Sequence, residues 1–161
     1  MNQLEPARID LDRALHNISE SRNRVRTGDG QHRVDELLAA LRKYSGRHVV
    51  VIRGYPDPDS LASAWAHSRL AASVGIDCDI AHLPLVSRAE NRAMVNLLDL
   101  PLVRVTTAED LERYHALSLV DANSIELPRS TGLPCVSIVD HHALSAKPNA
   151  DFMDIRLAVG A

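Results

Sequence analysis

The stretch "VVVIRGYPDPDSLASA", Val49–Ala64, decides how the chain is read. Residues 48–53, "HVVVIR", form a short β-branched run with the character of a strand buried on both faces. The turn that follows carries two carboxylates, Asp57 and Asp59, separated by one proline. Small residues then open a helix that Asp59 or Ser60 can cap and that Gly75 can end after Val74. One strand-end aspartate is a common helix cap. Two of them, one residue apart, point to a cation.

The same alternation continues outward from this stretch. Residues 77–83, 102–106, 116–121 and 135–140 read as further strands. Between them, 87–100 reads as a helix with Ser87 and Glu90 in capping-box spacing, and 107–115 reads as a short helix. Alternating strands and helices predict an α/β fold: a parallel sheet with right-handed crossovers and helices on both faces. Ahead of it, 8–26 places Ile9, Leu11, Leu15 and Ile18 at helical spacing, and "TGDGQ" (27–31) breaks the pattern. A second helix is expected over 33–46, stopped by Gly46. The expected organisation is a helical N-terminal extension, 1–46, and a catalytic domain, 47–161. The N-terminal helices are read as a homodimer element or as cover for a sheet edge.

Composition sets the outer limits. The 161 residues are 45% hydrophobic but only 3% aromatic, so the core must be aliphatic. A net charge of −3 gives no basic excess for duplex DNA, although a local cluster would suffice for a small or single-stranded phosphate ligand. Cys78 and Cys135 sit in separate apolar runs and read as reduced core thiols. The first residues lack a signal-peptide core, and no run reaches the roughly 18 apolar residues of a membrane span. The expected location is the cytoplasm.

In parallel sheets, ligands bind beyond the carboxyl ends of the strands. Three strands here end in acid: Asp57 and Asp59 follow the first, Asp121 ends the fourth and Asp140 ends the fifth. Asp140 runs directly into His141 and His142. Carboxylates and imidazoles without thiolate suit Mn²⁺, Mg²⁺ or Fe²⁺ better than a structural zinc. Two such ions about 4 Å apart, sharing one carboxylate, would form a hydrolytic centre for phosphoryl groups. His67, His82, His115 and Trp65 read as structural, and the scattered arginines of the N-terminal helices as solvated.

The segments "YPDPDSLASA", "LVDAN" and "VDHHAL" resemble the three ordered motifs of the DHH phosphoesterase superfamily, over residues 48 to 161. That group includes RecJ-type exonucleases, nanoRNA and pAp phosphatases, cyclic dinucleotide phosphodiesterases and manganese-dependent family II pyrophosphatases. "SRAENRAMV" (87–95) is similar to a segment of its nanoRNase-like branch. The resemblance implies two Mn²⁺ or Mg²⁺ ions. Asp57 and Asp121 would hold one, and Asp59, Asp121 and His141 the other. Asp140 would orient a histidine, and His142 would face the substrate phosphate, with Asn91 and Arg92 nearby. The implied activity is hydrolysis of a small nucleotide or short oligonucleotide.

Two departures qualify the resemblance. The family opens its first motif with a metal-binding histidine where this chain has Arg53. A guanidinium cannot bind a metal. It either holds a phosphate or pairs with Asp57 or Asp121 in place of an ion. The chain also ends at "DIRLAVGA", so a fourth motif and the family's second, substrate-binding domain are expected to be absent. Asp151 and Asp154 read as turn or cap residues, with Asp154 alternatively lining the site. The competing expectation is therefore a catalytically weak domain that binds nucleotides or a partner.

Overall fold

A computed structural model of the chain describes residues 29–124, 132–144 and 148–157. The helix expected over 8–26 lies outside the described residues. The chain divides into two compact units, Met1–Asp35 and Glu36–Ala161. In the first, Gln31 Nε2 donates to Asp35 Oδ1. The second holds the sheet.

Helix α1 spans Asp29–Leu41, so helix replaces the break expected through residue 31. In the second unit its Leu37, Ala40 and Leu41 are buried against Ala71, Ile76, Ala116, Val136 and Phe152. Strand β1, His48–Ile52, is buried along its whole length. It is followed by α2 (Pro58–Ser73), β2 (Cys78–His82), α3 (Ala89–Leu97) and β3 (Leu102–Arg104). A single 3-10 turn, Ala108–Leu111, stands where a short helix was expected. Strands β4 (Ala116–Val120), β5 (Cys135–Asp140) and β6 (Phe152–Ile155) complete the domain.

All six strands are parallel, in the order β3-β2-β1-β4-β5-β6. The chain builds outward from β1 to β3, returns to the middle, and builds outward again from β4. Right-handed connections then place the first crossovers on one face and the return on the other. The packing follows that rule. Val50, Ile52, Ile80 and Val120 pack with Leu61 and Ala64 of α2 and with Met94 and Val95 of α3. Val49, Val51, Leu117, Leu119 and Ile138 face the opposite way, against Leu111 and Tyr114 from the return connection. Each fully buried aliphatic side chain contributes about 1.5–3 kcal/mol, so β1 alone anchors both layers.

Strand β6 was not expected from the sequence. It pairs with β5 from Ser137↔Phe152 to Asp140↔Ile155. Asp154 therefore lies within a strand rather than in a turn, and both its oxygens take hydrogen bonds from Arg156, at 2.7 and 2.8 Å. Trp65, expected to pack, is exposed on α2. No helix among the described residues is long and apolar enough to cross a membrane.

Candidate metal centre

The strand order reverses between β1 and β4. At such a switch point the flanking loops diverge and leave a crevice at the carboxyl ends of the strands. The first loop, after β1, carries Arg53, Asp57 and Asp59. Asp57 is the N-cap of α2: its Oδ1 accepts from Ser60 N at 2.9 Å, and Ser60 Oγ accepts from Asp57 N at 3.0 Å. The cap is thus earlier in the chain than the expected Asp59 or Ser60. Pro58 explains it, because a proline fits the first helical position, where its missing N–H costs nothing. Asp59 stands half-buried in the first turn.

The second loop begins at Asp121, whose φ of 54° lies in the left-handed region. Aspartate tolerates this conformation better than most residues. Asp121 N still donates to Val139 O at 2.9 Å, so the backbone leaves the sheet only after this residue. The third loop follows β5. Asp121 Oδ1 lies 3.0 Å from His141 Nε2 and 3.7 Å from His142 Nδ1. Asp121, His141 and His142 each offer a ligand atom within 4.8 Å of the others, a group able to hold one metal ion. Asp59 Oδ2 is 3.9 Å from His141 Nε2, at the edge of this group.

Asp140 lies beneath the group, 2% exposed, and its carboxylate is saturated. Oδ1 accepts from the backbone N–H groups of His141 and His142 and from His142 Nδ1, the last at 2.8 Å. Oδ2 accepts from Asn123 Nδ2 at 2.6 Å. Burial alone would raise the Asp140 carboxyl; the hydrogen bonds from His142, Asn123 and His141 outweigh it and hold the group below its usual range. The same bond to Asp140 raises the His142 imidazole. Burial, then the charge of Asp57, push the Asp121 carboxyl up, against the hydrogen bond from His141. With Nδ1 engaged by Asp140, His142 presents Nε2 to a ligand.

Two cavities open at this point. One of about 390 Å³ is lined by Arg53, Gly54, Asp121, Asn123 and His142. The other, about 250 Å³, is lined by Arg53, Asp57, Ser60, Asp121 and His142. Arg53 Nη1 donates to Ser124 Oγ at 3.1 Å, between the first loop and the second.

The structure thus brings together Arg53, Asp57, Asp59, Asp121, Asp140, His141 and His142. Asn91 and Arg92 line neither cavity. Asn91 is buried, and its Nδ2 donates to Pro56 O at 2.6 Å, so it anchors the aspartate loop to α3. Arg92 donates to Ser87 O. Ser87 therefore does not cap α3; its N-cap is Arg88, without a side-chain bond. Asn123 was not singled out by the sequence, although it stands two residues after a strand-end acid. Cys78 and Cys135 are free thiols, pushed up by burial to about 12 and about 11, which suits packing rather than chemistry.

No protein-family model matches the chain. An uncharacterized protein of Methanocaldococcus jannaschii is 39% identical over 134 residues, which are 83% of this chain and 27% of that protein. The chain therefore spans about a quarter of the length of the curated relative it matches.

Proposed function

We propose that the chain is a metal-dependent phosphoesterase of the DHH type. Its substrate would be a phosphodiester or phosphomonoester of a small nucleotide or a short single-stranded oligonucleotide. The observation that supports this reading is the convergence of Asp121, His141 and His142 within 4.8 Å at the switch point of a parallel sheet, where Asp121 and His142 line a cavity. The donor set, one carboxylate and two imidazoles without thiolate, suits Mn²⁺ or Fe²⁺ better than Mg²⁺, which prefers oxygen ligands. Such an ion supplies the charge that polarises a phosphoryl group and acidifies water.

The chain's own residues divide the remaining tasks. Asp121 and His141 Nε2 would hold the ion, with Asp59 beside them. Asp140 fixes the His142 ring through Nδ1, and Asn123 fixes Asp140. That leaves His142 Nε2 as the ring nitrogen that would serve the ion or the phosphate, and Arg53 lines the same cavity as a permanent cation. A second reading is a nucleotide-binding module of little activity. It is favoured by Arg53 and by the use of Asp57 as a helix cap.

The test is Mn²⁺-dependent hydrolysis of bis-p-nitrophenyl phosphate, pAp, a short RNA and a cyclic dinucleotide, with His141→Ala beside the parent. Turnover by the parent that falls by on the order of 100-fold or more in the variant is expected. No turnover in either, with circular dichroism unchanged, favours the binding module.

A further inference from the structure

We infer that this centre is built for one divalent ion and one guanidinium, with Arg53 holding the ligand's phosphate against the ion. The inference rests on the phosphoesterase reading and assigns the charges within it. Among the described residues, the acids and histidines close enough together to hold an ion are Asp121, His141 and His142. Arg53 leaves β1 at its carboxyl end and lines both cavities, each of which it shares with Asp121 and His142. The guanidinium therefore faces the same space as Asp121 and His142.

Two further observations argue against a second ion beside Arg53. Asp57, the acid on that side, is committed to the capping box of α2 through Ser60. A second dication would also meet the fixed positive charge of Arg53 in the same cavity, a repulsion that a partly dehydrated site screens poorly. An arginine is always protonated and offers donors in a planar fork that matches phosphate oxygens. Its bond to Ser124 Oγ ties the guanidinium to the segment that begins at Asp121, so less side-chain freedom is lost when a ligand binds. A phosphate between the two charges would place one oxygen at the ion and another at Arg53.

Isothermal titration of the chain with Mn²⁺, and then with inorganic phosphate in the presence of Mn²⁺, tests the assignment. The parent, Arg53→Met and Arg53→Lys are compared, each checked by circular dichroism. One Mn²⁺ per chain is expected in all three. Phosphate affinity should fall about tenfold or more in Arg53→Met and be partly kept in Arg53→Lys, which retains the charge but loses the fork. If Arg53→Met does not fold, Arg53→Lys reads the loss of the fork alone. Two tightly bound Mn²⁺ per parent chain, or phosphate affinity unchanged in the variants with Mn²⁺ bound, overturns the assignment and leaves the phosphoesterase reading standing. A folded parent that binds no Mn²⁺ overturns both.

Discussion

At the scale of single residues, Asp57 separates what the sequence shows from what only the fold shows. The pair Asp57 and Asp59 is legible as a cap or cation turn after a buried strand, and both are in the crevice. The expected cap is Asp59 or Ser60, since either can accept from an unpaired N–H of the first turn. The structure gives the cap to Asp57 and the reciprocal bond to Ser60. Asp57→Ala should therefore cost about 0.5–2 kcal/mol in urea denaturation, and Asp57→Ser, which can still cap, less than about 0.5 kcal/mol. If capping is the main task of Asp57, Asp57→Ser keeps its affinity for Mn²⁺; a large loss of Mn²⁺ in this folded variant makes Asp57 a ligand. Asn123 shows the opposite limit. Its partner, Asp140, is 17 residues away on another strand, and no local pattern connects an amide to a carboxylate across a sheet.

At the scale of elements, five of the six strands are legible because buried parallel strands read as continuous aliphatic runs. Strand β6 is not. It has four residues, one of them Asp154, and it is an edge strand paired on one side only. The region over 107–115 carries charges at helical spacing, yet Thr107 and Asp110 close a capping box around one 3-10 turn. Gly46, expected to stop a helix over 33–46, instead lies in the turn before β1, because α1 already ends at Leu41. It has φ of +99°, and an added Cβ would lie 2.6 Å from the His115 ring. The same ring accepts from Arg47 N at 3.2 Å, while His115 N donates to Arg47 O at 2.8 Å, so this turn is locked to the start of β4. Gly46→Ala should lower stability by more than about 1 kcal/mol in thermal denaturation, since both the backbone conformation and the space oppose it. Combined with His115→Ala, it should cost less than the sum of the two single changes, because the clash is then relieved.

At the scale of the whole molecule, the two ends of the sheet carry different histidines. His67, packed beneath the sheet on α2, has no hydrogen-bond partner at Nε2, and burial, with His48 nearby, lowers its imidazole to about 4. Its folded value lies below its value of 6.5 in the unfolded chain, so the unfolded chain binds more protons between these limits. The stabilisation is fully present above pH 6.5 and is lost as pH falls toward 4, by about 3 kcal/mol in all. The parent should therefore lose more stability between pH 7 and pH 4 than His67→Leu, measured by urea denaturation; equal slopes would contradict a buried neutral His67. At the carboxyl end, the three motif loops converge because the strand order reverses between β1 and β4. The alternation of strands and helices made that end legible as the ligand side, and the acids and histidines at the strand ends named most of the residues that meet there, though not Asn123. The most direct measurement is an NMR titration of the histidine side-chain signals with substoichiometric Mn²⁺. Broadening of His141 and His142 first, with His48 and His115 at the far end of the strands staying sharp, is the expected result. Uniform broadening, or none at His141 and His142, would mean that the convergent loops do not hold an ion.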